Sequence, residues 1–197
     1  MHSSRFVLAL AAAFFTAIPS IHALPSGDLP SPSNFETVTV IPDGAYEAFT
    51  YPNGTVVATS IDTIEKRTYV RHVAPQVKQR SAGGLEKRFV SCWNQPLDHT
   101  GVDRAANCLR NRANQAGGID LRSGAGPYYY TCISSAVQVY YCVNAGNSWG
   151  NANLVDVNYG LSQMDSHCAA YDASYFQWDG TVEIVGKAKA DTPICQG

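Results

Sequence analysis

Two stretches of the chain repeat apolar residues at the 3.6-residue spacing of an α-helix. The first begins at Thr100-Gly-Val-Asp103, which resembles a capping box, and stops at Gly117-Gly118. Its apolar face consists of Val102, Ala105, Ala106, Leu109, Ala113 and Ala116. The second has Asn153 as its expected N-cap. Its apolar face consists of Leu154, Val157, Leu161, Met164 and Cys168. The pattern therefore predicts two amphipathic helices.

Four other segments have the β-branched and aromatic composition of strands. They are Phe89–Trp93, Tyr128–Ile133, Val137–Val143 and Thr181–Val185. The middle two are expected to form a hairpin through Ser134-Ser135, and the last is entered through Asp179-Gly180. Together with the helices they give the order βαββαβ. This order predicts an α+β fold, a two-layer sandwich of the split βαβ type.

The amino terminus has the pattern of a secretory signal peptide. Arg5 supplies a positive charge, Phe6–Ile18 is an apolar run of thirteen residues, and Ala23 lies at the expected cleavage edge. The run is too short to cross a bilayer, and no later part of the chain has a longer run of apolar residues. We therefore expect residues 1–23 to be removed and the protein to be secreted to the extracellular space, with no membrane span.

Residues 24–88 differ in composition from the rest and are predicted to be a mostly disordered pro-segment. They begin with the Pro- and Ser-rich sequence LPSGDLPSPSN. Further on, two β-prone runs flank Asn53-Gly54, which suggests a β-hairpin near residues 46–61. Asn53-Gly-Thr55 is also a sequon for N-glycosylation, so a glycoprotein is expected.

Two Lys-Arg pairs occur in the pro-segment, at Lys66-Arg67 and at Lys87-Arg88. The second pair lies four residues before the first cysteine, at the boundary between a cysteine-free and a cysteine-rich segment. Exposed dibasic pairs in flexible chain are cut by kexin-type proteases. We therefore expect such a protease to release residues 89–197 as the mature domain.

The mature domain contains every cysteine of the chain: Cys92, Cys108, Cys132, Cys142, Cys168 and Cys195. An even number of cysteines in a secretory chain predicts a disulfide framework, and their spacings do not fit a metal site. If the second helix runs back along the third strand, its end approaches the hairpin turn. Cys132 would then face the same side as Val137 and pair with Cys168. The pairing of the other four cysteines stays open.

Charge and composition exclude some partners. The mature domain has six Lys and Arg residues against nine Asp and Glu residues, a formal charge of −3, with no basic stripe. Nucleic acid and anionic membranes are therefore not expected as partners.

The layout resembles that of fungal small secreted cysteine-rich proteins. The shared features are the signal peptide, the pro-segment ending at Lys87-Arg88 and the six-cysteine domain of two helices and several strands. This layout is similar to killer toxins of smut fungi and to necrosis-inducing extracellular effectors of plant pathogens. The resemblance implies a split βαβ sandwich, no cofactor, and action on a host or competitor cell.

Enzymatic candidates are few. His99 and His167 are the two histidines of the mature domain, and they are predicted to lie near the same end of the sandwich. They could act as acid and base of a small secreted ribonuclease, assisted by Arg104 or Glu183. The His–Glu–Arg–His string of known small fungal ribonucleases is absent, and a capping or surface role suits these histidines better.

Two pairs of carboxylates flank the helices: Asp98 with Asp103, and Asp165 with Asp172. Glycoside hydrolysis requires such a pair. Aspartates beside helices more commonly serve as caps and solubilising groups, and the domain is small for a deep sugar cleft.

Aromatic residues provide candidate binding sites. Tyr129, Tyr140 and Trp178 could bind a glycan or a protein partner if they lie on an open face of the sheet. The favoured function is therefore a monomeric, secreted, toxin-like effector without catalysis or cofactor, which binds a target on host or competitor cells. The ribonuclease is the alternative.

Overall fold

The computed structural model describes residues 35–51, 53–61, 66–73 and 89–196. The predicted signal peptide with its cleavage edge at Ala23, and the predicted processing site at Lys87 and Arg88, lie outside the described residues. The hairpin, the six cysteines and every candidate site residue of the mature domain lie within them.

The described residues form two helices and eleven strands. The strands that precede the predicted mature domain are β1 (Phe35–Thr37), β2 (Gly44–Thr50), β3 (Thr55–Ser60) and β4 (Thr68–His72). The mature domain follows with β5 (Phe89–Pro96), α1 (His99–Ala113), β6 (Ile119–Arg122), β7 (Tyr128–Ser134), β8 (Val137–Val143), β9 (Trp149–Ala152), α2 (Leu154–His167), β10 (Asp172–Gln177) and β11 (Glu183–Lys189). The fold is therefore mixed α and β with a majority of strands.

Nine of the strands form one sheet in the order β1-β4-β3-β2-β7-β8-β11-β10-β5, and β6 pairs with β9 in a separate ribbon. Every neighbouring pair is antiparallel except β1 and β4. In the second half of the domain the chain runs from β8 through β9 and α2 to β10, and β11 lies between β8 and β10 in the sheet.

The first half of the mature domain departs from the predicted sandwich. Strand β5 lies at the edge of the sheet. Three strands separate it from β7, which is the next predicted strand after α1. The cause is β10, a strand that is not among the four predicted ones. The segment Asp179-Gly180 joins β10 to β11 as a hairpin, with Gly180 at φ 67°, and β10 then occupies the position beside β5.

The described residues of the predicted pro-segment form strands, which include the hairpin predicted near residues 46–61. These four strands continue the sheet of the mature domain, because β2 pairs with β7 from Gly44↔Ile133 to Phe49↔Tyr128. Strands β2 and β3 form an antiparallel hairpin around Asn53-Gly54. A lone hairpin is marginal in water, but here the edge of β7 provides a partner and an apolar surface.

Both helices begin at polar caps. Asp98 caps α1, with its carboxylate accepting from the Gly101 amide at 2.6 Å, so the helix starts just before the predicted Thr100. Asn153 caps α2 as predicted, in a reciprocal capping box with Asp156. Both helices pack on the same face of the sheet, α1 on β7 and β8, and α2 on β10, β5 and β11.

Strand β8 is buried on both faces. Val137, Val139, Tyr141 and Val143 alternate toward the helices, which is the face predicted for them. The intervening Tyr140 and Cys142 pack on the opposite face with residues of β2 and β4 and with the carboxy-terminal segment around Ile194. The sheet is therefore a central layer between the helices and a second apolar cluster.

The six cysteines form three disulfides: Cys92–Cys168, Cys108–Cys132 and Cys142–Cys195. The predicted Cys132–Cys168 pair is wrong. Cys132 does face the helices, but α1 rather than α2 lies over β7, so Cys132 meets Cys108. Helix α2 lies over β5 and brings Cys168 to Cys92 instead.

Within the described ranges, neither helix has both the length and the apolar character that a bilayer crossing requires.

Buried tyrosines predict an alkaline limit to stability. Burial is the main cause that raises the pKa of Tyr128, Tyr140 and Tyr141 above the ordinary value, and it raises the pKa of Tyr129 to about 12. Because the folded-state pKa values exceed the unfolded value, the stability that these tyrosines contribute is complete below about pH 10 and decreases as the pH rises above it.

Urea denaturation at pH 8, 9.5, 10.5 and 11 measures this loss. Tyr129→Phe should reduce the slope of unfolding free energy against pH above pH 10. A stability that stays constant to pH 11 in the wild-type protein would contradict the assignment of these side chains to the core.

Candidate functional site

A pocket of about 320 Å³ lies where β9, the start of α2 and the β10–β11 turn meet. We call it the Trp178 pocket. It is lined by Asn151, Ala152, Asp156, Trp178, Asp179, Thr181 and Glu183. The β10–β11 hairpin turn places Asp179 in the lining of the pocket. The capping box of α2 fixes the position of Asp156, which also lines the pocket. The pocket is therefore built from three separate elements of the mature domain.

Two hydrogen bonds hold the Glu183 side chain in the pocket. Its carboxylate accepts a short hydrogen bond from the Tyr141 hydroxyl and a second one from the Asn151 amide at 3.1 Å. Gly150 passes directly over this group, and a Cβ atom there would lie 2.7 Å from the Glu183 carboxylate oxygen. The lack of a side chain at position 150 therefore lets β9 reach Glu183.

The electrostatics of the pocket are acidic. Burial raises the pKa of Tyr141 far above its ordinary value, and the hydrogen bond to Glu183 and the charges of Glu183, Asp156 and Asp120 raise it further. Tyr141 therefore stays protonated and acts as a donor to Glu183. None of the seven lining residues is basic, so the pocket presents carboxylates, an amide and an indole to solvent.

The exposed face of the β6–β9 ribbon continues from the pocket. Trp149 is 60% exposed, and its indole N–H donates to Asp120 at 2.6 Å. Asn151 lies two residues further along β9, so it shares this face, and its side-chain amide donates to the Gly117 carbonyl at 2.8 Å. A fixed, exposed tryptophan therefore borders the Trp178 pocket through Asn151.

The three aromatic candidates have different positions. Trp178 is half-buried, lines the pocket and packs edge-to-face on Phe176 with ring centroids 5.0 Å apart. Tyr129 and Tyr140 are buried, at 2% exposure each, and do not lie on an open face. The reason is that the strands before residue 74 and the carboxy-terminal segment cover that side of the sheet.

The two histidines have separate partners. His99 is the first residue of α1 and stacks on Tyr171, with ring centroids 3.8 Å apart. His167 ends α2, and its Nδ1 donates to the Gln163 carbonyl at 2.8 Å. The contacts of the described chain do not join the two rings, and neither ring lines the pocket that contains Glu183.

Two of the four carboxylates that flank the helices, Asp98 and Asp165, have structural partners. Asp98 is the cap of α1. Asp165 forms an ion pair with Lys187 at 2.5 Å, and Lys187 also donates to the Ala170 carbonyl. The Lys187 side chain is almost completely buried, so this pair ties the end of α2 to β11. Asp103 and Arg104 are exposed on α1.

The predicted glycosylation site can also be placed. Asn53 of the glycosylation sequon is exposed, and its side-chain oxygen accepts from the Thr55 amide at 2.9 Å. Over the described ranges, no three His, Cys, Asp or Glu side chains are grouped so that they could hold a metal ion.

Comparison with known proteins gives no match to a protein-family model, to a curated protein or to a solved structure. The pocket is therefore interpreted from its own residues.

Sequence analysis missed Trp149, Asn151 and Asp156 as parts of one site. The β6–β9 ribbon, whose strands have only four residues each, positions Trp149 and Asn151, and the capping box of α2 positions Asp156. One signal was present: Trp149 stands in the polar and glycine-rich sequence Asn147-Ser-Trp-Gly-Asn151, where an apolar core is not expected to form.

Gly150→Ala tests the packing at the base of the pocket. The added methyl group collides with Tyr141 and Glu183, so we expect a loss of about 1–3 kcal/mol in the free energy of unfolding, measured by urea denaturation. Gly124→Ala is the matched control, because a Cβ atom there meets open space. Equal stability of the two variants would show that Gly150 does not pack closely against Glu183 and Tyr141.

Proposed function

We propose that this chain is a secreted, disulfide-stapled effector or toxin-like protein that acts on host or competitor cells by binding, without catalysis. We further propose that the ligand is a saccharide bound in the Trp178 pocket. The observation that carries the second part is the combination in one pocket of the Trp178 indole with the Glu183 and Asp156 carboxylates and the Asn151 amide.

The chemistry of this lining suits a sugar. A sugar ring has apolar C–H faces that pack on an indole, and hydroxyl groups at its edge that donate to carboxylates and amides. Trp149 provides a second exposed indole beside the pocket, held in place by Asp120. An extended saccharide would therefore find an aromatic contact inside the pocket and another outside it.

Other features support an extracellular binding role. Three disulfides are compatible with an oxidising compartment and with persistence among proteases. The amino-terminal signal pattern and the dibasic sites support secretion and processing, and the resemblance in layout supports action on another cell. The separate partners of His99 and His167 favour binding over the ribonuclease alternative.

Trp178→Ala tests the saccharide proposal. The probes are soluble hexasaccharides of chitin, cellulose and β-1,3-glucan, titrated calorimetrically into the purified protein. We expect at least one to bind the wild-type protein, and Trp178→Ala to weaken its affinity about tenfold or more, which corresponds to about 1.4 kcal/mol. Glu183→Gln should also weaken binding, because it removes the negative charge of a carboxylate that accepts hydrogen bonds from the sugar hydroxyl groups.

Two control proteins accompany this experiment. Phe35→Ala removes an exposed ring on β1, at the opposite edge of the sheet, and should bind as the wild type does. The double variant His99→Ala and His167→Ala should retain saccharide binding and activity on a leaf or a competing fungus. Loss of that activity together with loss of RNA cleavage in the double variant would favour the ribonuclease instead.

A further inference from the structure

The amino-terminal strands are joined to the mature domain without a covalent cross-link. All three disulfides connect residues between Cys92 and Cys195. The strands β1 to β4 therefore depend on the peptide chain between residues 73 and 89 and on non-covalent contacts. These contacts determine what happens when the chain between the two parts is cut.

Backbone pairing is the first contact. Strand β2 pairs with β7 over six consecutive registered positions, from Gly44 to Phe49. The Thr50 amide extends the ladder with a bond to the Pro127 carbonyl at 3.2 Å. This is the full length of an average strand, and it satisfies the hydrogen-bonding groups on one side of β7.

Side chains add three further contacts, each at a different place. The Glu47 carboxylate accepts from the Tyr128 hydroxyl at 2.8 Å. The Asp43 carboxylate accepts from the Ser135 amide at 3.0 Å, at the β7–β8 turn. On β4, the buried Arg71 donates to the Ala190 carbonyl at 2.6 Å. The contacts therefore extend from β2 to the carboxy-terminal segment.

Apolar burial joins the two parts as one core. Buried residues of β2, β3 and β4 belong to the same cluster as residues of β7, β8 and β11. The first group consists of Tyr46, Ala48, Val56, Ala58 and Tyr69, and the second includes Tyr129, Ile133, Tyr140 and Ile184. Without the amino-terminal strands, β7 would be an open edge beside an exposed apolar face, an arrangement that promotes aggregation.

We propose that the processed protein is a two-chain complex. After a cut in the chain between Val73 and Phe89, residues 35–73 remain bound to residues 89–196 as four strands of one sheet. The cleaved amino-terminal segment thus stays a partner of the mature domain. Its described residues do not line the Trp178 pocket, whose seven lining residues lie between Asn151 and Glu183.

The test uses the full chain produced in a host without a kexin-type protease. The recognition sequence of a site-specific protease replaces residues 81–88, and a denaturing gel confirms that cutting is complete. Size-exclusion chromatography of the cut protein at submicromolar concentration should give one peak that contains both fragments in equal amounts. Separate elution of the amino-terminal fragment would overturn the proposal, whether the remaining fragment stays folded or aggregates.

A second variant tests whether the observed pairing holds the complex. Asp43→Ala with Glu47→Ala removes both carboxylate contacts across the β2–β7 boundary and should increase the rate of fragment dissociation about tenfold, measured by exchange with labelled fragment. Asp103→Ala removes an exposed carboxylate of α1 and should leave that rate unchanged. An unchanged rate in the double variant would overturn the assignment. Neither readout depends on saccharide binding.

Discussion

The β7–β8 hairpin is the part of the structure on which the rest depends. Its turn, Ser135-Ala136, has positive φ at both residues, 48° and 58°, as a type I′ turn requires. Every residue of β8 is buried. The two strands carry Cys132 toward the helices and Cys142 toward the opposite face, where disulfides tie them to α1 and to the carboxy-terminal segment. Disulfides therefore link this hairpin to the apolar layers on both faces of the sheet.

The sheet extends from the hairpin in two directions with different consequences. Beyond β8, strands β11 and β10 bring Glu183 and Trp178 to the pocket. Beyond β7, the four amino-terminal strands close the edge and cover the apolar face. The proposed binding chemistry thus lies on one side of the hairpin, and the packing that shields the sheet lies on the other.

Local patterns predicted the two helices, the Asn153 cap, the β2–β3 hairpin and the inward face of β8, because each depends on neighbours in sequence. The pairing of Cys108 with Cys132 could not be predicted, since it depends on which helix covers β7. Ser135-Ala136 lacks the glycine or asparagine that marks a type I′ turn, so the turn was expected one residue earlier. The pocket depends on β10, whose place in the sheet follows from long-range pairing.

The central claim is that one sheet continues across the predicted boundary between pro-segment and mature domain. Amide hydrogen exchange of the uncut chain, resolved for β7 and β8, measures it most directly. If β2 pairs with β7 in solution, the amides of Tyr128–Ser134 that face β2 will be protected to an extent similar to those of Val137–Val143. Rapid exchange confined to those β7 amides, with β8 protected, would show an open edge and contradict the account.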